Sequence, residues 1–517
     1  MALLQNIRVY YLAIIVYFGI VLFGYDTGIA GGVVAQKAFE HQFLGLNATQ
    51  SHKDAVSQNV VSVLQAGAFF GALGSTVVST ALGRKMTLLA FSLLFSLGAI
   101  LQTVAGPGRG LGYIYSGRVI AGIGVGAISA VAPTFVSECA PKDVRGRITG
   151  FFQIMVAIGV MLSYFTNYGV SAHIKEGPKV WRIAFGLQLV PAGIMCVGLL
   201  VCKESPRWLA SKGRMQEALT NLAYLRKLPT DHESVRSELA EIEASIEEER
   251  EARTGLGWKE AFLGKGNWPR FLIAFVIFVL QQFSGQNTVN YYAPQIFEAI
   301  GYTGTTPSLL ASGVYGIVKV VATAIFIFFG VESLGRVWSL RISGFGMGAL
   351  FFMIGAILKT HPPAVSADGA IPPASRAMAG LLYIYVCFYS MGWGPVPWVY
   401  VSDIFSTRTR AYGMGWASAT QWLFNFVVSQ ISLTIKRELG WKLFLLFGTI
   451  NIGGMVTFTF FIPETKGRSL EEMDVVFGSV TAEKREQDIA RAERALGGGA
   501  HAEEENEKSS EKQDERV

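Results

Sequence analysis

The sequence predicts an all-α membrane protein built as two similar bundles of six transmembrane helices. Three observations lead there: a composition too apolar for a soluble chain of this size, about twelve apolar runs of membrane-spanning length, and short phrases of the first half that return in the second. Of 517 residues, 51% are hydrophobic and only 16% are charged, and the mean hydropathy is +0.38. Soluble domains carry roughly 25% charged residues. A helix needs about 20 apolar residues to cross about 30 Å of hydrocarbon.

The runs of the first half are Tyr11–Val33, Val56–Ser79, Met86–Ala105, Tyr113–Val136, Ile148–Val170 and Trp181–Cys202. Those of the second half are Phe271–Ile300, Ser308–Val331, Trp338–Leu358, Met378–Val401, Gly413–Ile435 and Trp441–Ile462. The chain therefore divides into a bundle at 1–202, a linker at 203–270, a second bundle at 271–474 and a tail at 475–517. An even number of spans puts both termini on one side. The linker is dense in Lys and Arg, and the short loops after spans 2, 4, 8 and 10 carry basic pairs, so the positive-inside bias places these loops and both termini in the cytosol. The glycosylation tripeptide Asn47-Ala48-Thr49 falls in the first loop of the opposite side.

Within the linker, Val235, Leu239, Ile242 and Ile246 recur at helical spacing in a Glu/Arg-rich stretch, which predicts amphipathic helices under the bundles. The tail is rich in Lys, Glu and Gln with a Gly498-Gly499 break, and a segment of that composition is expected to be disordered. Cys139, Cys196, Cys202 and Cys387 show no metal-ligand or disulfide spacing, so no metal site and no cofactor is expected. The first run is long enough to span and lacks a small-residue cleavage pattern, unlike a cleavable signal. The net charge of +6 belongs to cytosolic loops and implies no nucleic-acid partner. Gly122-Ile123-Gly124-Val125-Gly126 looks like a nucleotide loop but has neither a preceding strand nor a downstream acid. Together with Gly67 and Gly71 its four-residue spacing lets helix backbones approach closely.

The duplication rests on three pairs of phrases about 250 to 265 residues apart, in the same order. Leu82-Gly83-Arg84-Lys85 is echoed by Leu334-Gly335-Arg336. Ser137-Glu138-Cys139 followed by Arg145-Gly146-Arg147 returns as Ser402-Asp403-Ile404 followed by Arg408 and Arg410. Glu204-Ser205-Pro206-Arg207 returns as Pro463-Glu464-Thr465-Lys466-Gly467. Glu138, Arg145, Arg147, Glu204 and Arg207 in one half and Asp403, Arg410 and Glu464 in the other supply opposite charges at helix ends. A network spanning the halves there would bias one conformational state.

Polar side chains inside spans are expensive and need a partner or a task. Gln281, Gln282, Asn287, Tyr291 and Tyr292 lie along span 7. Amides both donate and accept, as does a sugar hydroxyl, so this set suits a polyol; the same amides also suit interhelical glue. Asp26, between Gly24 and Gly28 in span 1, and Arg118 in span 4 are placed to pair. A pair that separates during a conformational cycle takes up and releases a proton, whereas a permanent pair is structural. Lys319 in span 8 either bonds to local carbonyls or serves as counter-charge for an anionic substrate such as a sugar acid or quinate.

Six phrases carry a family resemblance: Gly24-Tyr25-Asp26-Thr27-Gly28, Gly117-Arg118, Glu204-Ser205-Pro206-Arg207-Trp208-Leu209, Gln281-Gln282-Phe283-Ser284-Gly285-Gln286-Asn287, Gly394-Pro395-Val396-Pro397-Trp398 and Pro463-Glu464-Thr465-Lys466-Gly467. From Tyr11 to Asp474 the sequence resembles the sugar porter branch of the major facilitator superfamily. The resemblance implies a secondary transporter of a hexose or pentose working by alternating access, with a proton as co-substrate. It implies that Gln281, Gln282 and Asn287 bind sugar hydroxyls, and it nominates Gln153, Trp393 and Gln421 beside them. An aromatic face such as that of Trp393 stacks on the C–H face of a pyranose. It further implies proton coupling at Asp26 and Arg118, and a cytosolic gate that includes Arg84, Glu332 and Arg336 with the charged residues above. The sequence departs from the family where Thr80 replaces an acid and Lys203 a proline, which bears on how tightly the first-half gate is latched. A quinate or sugar-acid permease on the same fold is the alternative. A non-transporting sensor is disfavoured because only about 43 residues follow Asp474, and no constellation for a membrane enzyme is present. The expected partners are a small sugar and the lipid bilayer, with the chain acting as a monomer in the plasma membrane.

Overall fold

A computed structural model of the chain describes residues 6–478 apart from 46–47, 107, 109, 175–176, 254–257, 265, 331–333, 364–370, 407 and 469. Asn47, Glu332 and residues 479–517 thus lie outside the described residues, as do the side chains of Arg145 and Arg147. Every regular element among the described residues is a helix.

In the first half, spans 1 to 5 are Ile7–Val34, Gln50–Leu82, Arg84–Val104, Gly112–Cys139 and Lys142–His173, and span 6 is Lys179–Gly186 continued by Leu189–Val201. In the second half, span 8 is Thr305–Ile325 ending in a π-helical turn at Phe326–Gly330, span 9 is Arg336–Thr360 and span 11 is Arg410–Leu439. Span 12 is Lys442–Thr449 followed by a π-helical segment at Ile450–Val456. Nine helical stretches among the described residues are long and apolar enough to cross a membrane. Spans 7, 11 and 12 complete the twelve as broken, more polar or shorter helices. The outward faces of the bundles carry large exposed apolar side chains, among them Phe70, Val77, Val197, Phe329, Phe345 and Phe461. In water such an expanse would be a liability; here it is the lipid-facing surface.

Spans 2 and 4 meet through glycines on both sides. A methyl group on Gly67 or Gly71 would fall on the carbonyl oxygens of Val119 or Ile123, and one on Gly122 or Gly126 on those of Leu64 or Ala68. Spans 1 and 5 pack in the same way through Gly24 and Gly159. With little hydrophobic drive between helices in lipid, such backbone contact supplies much of the association.

The linker forms helices at Pro206–Ser211, Met215–Arg226, Glu233–Arg253 and Trp258–Leu263. Their core comprises Trp208, Leu209, Leu222, Val235 and Leu239, with Ile242 and Ile246 against it, so the helical spacing read from the sequence is the buried stripe. Ser205 caps the first of these helices by accepting from the Trp208 N–H. Arg8 at the start of span 1 donates to the Tyr224 carbonyl at 2.6 Å, which puts that end of the bundle on the linker face. The opposite end is the far face.

Span 7, expected from the sequence as one run, is three pieces: Trp268–Gln282, Gln286–Tyr291 and Ala293–Ala299. Gly285 between the first two sits at φ +90°, a conformation that an L side chain rarely adopts. Span 10 is likewise Pro373–Met391 and Val396–Ile404, parted at Gly392-Trp393-Gly394-Pro395. The corresponding spans 1 and 4 are unbroken. Backbone freed at such breaks must find partners inside the protein.

Candidate functional site

At the far face the two halves are joined. Arg437 on span 11 pairs with Asp54 on span 2 at 3.0 Å. One turn deeper, Gln58 and Thr434 exchange hydrogen bonds of 3.1 and 3.2 Å. Next, Ser62 donates to Gln430, which donates to Asn59 at 2.9 Å. Span 1 meets the middle piece of span 7 so closely that a methyl on Gly31 would land on the Tyr291 carbonyl oxygen, and Gln295 donates to the Gly31 carbonyl at 3.1 Å. Tyr164 on span 5 donates to the Asn290 carbonyl at 2.5 Å.

Beneath this seal lies a fully buried ion pair in the first half. Arg118 donates through Nη1 to Oδ1 of Asp26, with side-chain exposures of 1% and 0%. The Arg118 Nε–H is held by the Val60 carbonyl at 2.9 Å. Gln188, at the junction of the two pieces of span 6, donates to the same Asp26 oxygen at 3.2 Å. Oδ2 of Asp26 and Oε1 of Gln188 are buried without a hydrogen-bond partner among the described residues. Leaving a buried carboxylate oxygen unpaired costs free energy, so the pair is held short of its best possible stability.

The amides of span 7 form a relay on the other side of the midline. Asn287 donates to Gln282, Gln282 donates to Gln281 at 3.2 Å, and Gln281 donates to the carbonyls of Trp393 at 2.6 Å and Gly394 at 3.2 Å. Asn287 also faces Asn425 of span 11 at 3.5 Å. The Tyr291 hydroxyl has Gln65 and Asn425 within hydrogen-bonding reach and feels the charges of Asp26 and Arg118. Tyr291 therefore stands between the ion pair and the amides. Tyr292 donates to the Ser429 carbonyl at 2.7 Å. Gln153 on span 5 and Gln421 on span 11 are half-buried.

Trp393, nominated as a stacking surface, is fully buried in the core of the second half and donates its indole N–H to the Leu340 carbonyl at 2.9 Å. The break in span 10 turns it inward, so neither face is open to a ligand in this state. Trp398, five residues on, is half-exposed beside Phe278, with ring centroids 4.6 Å apart. Lys319 is 6% exposed and donates to Oδ1 of Asn290 at 3.1 Å. Among the described residues no carboxylate pairs with it. Gln188, Gln65, Asn425 and Asn290 were not singled out from the sequence, although each interrupts an apolar run; Trp398 entered only as the last residue of a family phrase.

At the linker face the repeated phrases build one device twice. Gly83 and Gly335, at φ +96° and +82°, each release a helix whose first N–H groups point at a carboxylate. Glu204 accepts from the N–H groups of Arg84 at 3.1 Å, Lys85 at 3.1 Å and Ser205 at 2.8 Å. Glu464 accepts from Arg336 and Val337 at 2.9 Å each, and from Thr465 and Lys466 at 3.1 Å each. Beside them Arg84 pairs with Glu138 at 2.9 Å and Arg336 with Asp403 at 3.3 Å. Ser205 and Thr465 donate to those same carboxylates. Arg207 instead reaches Glu249 of the linker, and Arg410 acts on Asp403 through its charge. Among the described residues the Arg84 and Arg336 pairs each close within one half, because each phrase folds back on its own bundle; the side chains of Arg145 and Arg147 and residue Glu332, which belong to the expected network, lie outside the described residues.

The two clasps are not electrostatically equal. Burial raises the carboxyl of Glu204 above the ordinary carboxylate range against the pull of the N–H groups of Ser205, Lys85 and Arg84. In Glu464 burial pushes the same way, but the N–H groups of Lys466, Arg336, Val337 and Thr465 together outweigh it and hold the carboxyl below that range. The contribution of Glu464 to stability is thus present above the ordinary carboxylate value and lost as pH falls through its lowered value. That of Glu204 is present below the ordinary value and lost as pH rises through its raised value. Thermal melts between about pH 3 and pH 8 should show Glu464→Gln below the parent chain at neutral pH, with the gap closing only below the ordinary carboxylate value. Glu204→Gln should show the opposite pH sense; the same sense in both would contradict this assignment.

Comparisons with known proteins add the following. Residues 12–477 match the profile of the family described as "Sugar (and other) transporter". A probable quinate permease of Aspergillus clavatus is 36% identical over 476 residues, covering 91% of this chain and 88% of the relative. The quinate permease of Emericella nidulans is 36% identical over 477 residues, covering 91% and 89%. Among solved structures, the inward open conformation of the xylose transporter XylE from E. coli superposes with a TM-score of 0.74 at 25% identity, covering 90% of this chain and 99% of that one. The proton:xylose symporter XylE bound to 6-bromo-6-deoxy-D-glucose gives 0.73 at 26%, covering 92% and 100%.

Proposed function

Because the chain belongs to the sugar porter family of the major facilitator superfamily, we propose that it moves a monosaccharide, a hexose or pentose, across the membrane together with a proton by alternating access. It is a membrane transporter and not an enzyme. The observation that carries the proposal is the arrangement about Tyr291: a relay of amides on one side and a buried, under-satisfied carboxylate–guanidinium pair on the other. Amides of Gln282, Asn287 and Asn425 offer a ring of hydroxyl groups both donors and acceptors. Gln421 lies one turn before Asn425 on span 11 and Trp398 packs against Phe278, one turn before Gln282; Gln153 on span 5 enters this reading through the family resemblance alone.

In the present state the far face is sealed and the linker-face clasps each stay within their own half. We read the linker face as cytosolic, the chain as a working monomer and the plasma membrane as its location. On this reading the conformation opens toward the cytosol. When the halves rock to open the far face, Tyr291 and span 1 part from each other and Arg118 is drawn from Asp26. A carboxylate left desolvated without its cation takes up a proton. Return to the sealed state brings the guanidinium back and expels that proton on the other side, so the gradient drives the cycle.

A second reading has one specific observation in its favour. Lys319 is a buried ammonium held by a neutral amide, and relatives of this chain bear the name quinate permease. A cyclic hydroxy acid would give that ammonium a carboxylate partner. In proteoliposomes supplied with labelled D-glucose, D-xylose and quinate, the monosaccharide reading expects saturable sugar uptake. Lys319→Ala separates the two: selective loss of quinate uptake by more than about tenfold, the scale of one charged contact, supports the acid, and equal loss for glucose and quinate rules out the counter-charge role.

A further inference from the structure

The two helix breaks in the second half are tied to each other. At the break in span 7 the Ser284 carbonyl accepts two side-chain hydrogen bonds, from Tyr385 of span 10 at 3.2 Å and from Asn451 of span 12 at 3.1 Å. At the break in span 10 the carbonyls of Trp393 and Gly394 accept from Gln281 of span 7. Ser284 returns its hydroxyl to the Gln281 carbonyl at 2.7 Å. Each discontinuity is thus capped from the other span, with span 12 as the outside support.

Asn451 is 0% exposed and lies in the π-helical segment Ile450–Val456. A π turn rotates the residues that follow and is found disproportionately at functional positions. Span 12 approaches span 9 closely enough there that a methyl on Gly348 would press on Ile452 and the Gly448 carbonyl. An amide buried at that depth is costly unless it does something specific. Its Nδ2 reaches the Ser284 carbonyl, while its Oδ1 has no partner among the described residues. A group retained with half of its capacity unused acts through the half that is used.

We infer that Asn451 is a positioning residue for substrate recognition: by holding the Ser284 carbonyl jointly with Tyr385, it fixes the break in span 7 and so the register of Gln281, Gln282 and Asn287 that face the substrate. This rests on the transporter reading above. The amides lie on either side of the braced carbonyl, two and three residues before it and three after. A break free to shift would spread them over several registers and weaken substrate binding before it slowed the rocking of the halves.

The test uses the full chain in proteoliposomes with D-glucose, D-xylose and quinate as probes, and the variants Asn451→Leu, Tyr385→Phe and their combination. Each single variant should raise the half-saturating concentration about tenfold, the scale of one lost buried hydrogen bond, with the maximal rate within about twofold. The double variant should fall short of the product of the two, since both donors serve one acceptor. Asn451→Gln, which keeps the donor, should recover part of the loss. An unchanged half-saturating concentration, or effects that multiply fully, would overturn the assignment. Amide exchange is read in the same preparations: Asn451→Leu should speed exchange at 284–287 and leave span 9 unchanged. Unaltered exchange there would reject the brace even if none of the probes were carried, in which case the transport reading fails separately.

Discussion

Replacing Asp26 with asparagine is expected to abolish accumulation driven by a pH gradient while sparing counterflow. Asparagine keeps the size of the side chain and an oxygen for Arg118, so packing against Gln188 and span 4 survives. It removes the one carboxylate in the buried pair. Substrate exchange needs the halves to rock with substrate bound, not a proton to cross. Counterflow should therefore persist in the folded fraction, although the Arg118 guanidinium, at 1% exposure, loses its counter-charge and the variant is expected to be less stable than the parent. Removing the other partner is a different experiment. Arg118→Leu strands a carboxylate at 0% exposure, and breaking a buried pair from one side costs about 3–5 kcal/mol, so that variant is expected to fold poorly. Accumulation by Asp26→Asn equal to the parent would remove Asp26 from the coupling role.

The second large effect is expected from a single methyl group at Gly31. In the sealed state that methyl would occupy the place of the Tyr291 carbonyl oxygen. Backbone cannot swing aside as a side chain can, and overpacking of this kind costs about 1–3 kcal/mol. A penalty confined to one state shifts its population by roughly ten- to a hundredfold. Gly31→Ala should hold the far face open and slow uptake by a similar factor. A cysteine placed at Gln58, which is bonded to Thr434 across the seal, should then react faster with a membrane-impermeant maleimide added from the far side. Unchanged labelling together with unchanged uptake would show that spans 1 and 7 do not close against each other during transport.

Much of this architecture is legible in the sequence because it is local. Apolar length marks the spans, and the stripe Val235, Leu239, Ile242 and Ile246 marks the linker helix that the structure buries. The Gly-Arg turns and their acids can be matched by eye because the duplication prints them twice. Their closure within each half is another matter, since the same charges would also suit pairing across the halves.

What the sequence withholds depends on breaks and on distance. Ser284-Gly285 and Gly392-Trp393-Gly394-Pro395 are recognisable breakers, yet a helical wheel drawn through them assigns the wrong face to everything beyond. Hence Trp393 and Trp398, five residues apart in one phrase, exchange places between core and half-exposed surface. Gln188 marks the junction in span 6, but nothing local to it points to Asp26, 162 residues away. The far-face seal joins residues more than 360 apart, such as Ser62 and Gln430. Asn451 reads as an ordinary amide in an apolar run until the carbonyl it serves is seen.

The central claim is that one cycle couples substrate and proton movement through two halves that open alternately. It is tested most directly by uptake of labelled D-glucose, D-xylose or quinate into proteoliposomes with and without an imposed pH gradient. The account predicts saturable uptake that becomes concentrative only when the far face is the acidic side, and that collapses with a protonophore. Binding of a probe with no uptake under either condition, or uptake that never exceeds equilibration at any gradient, would contradict it.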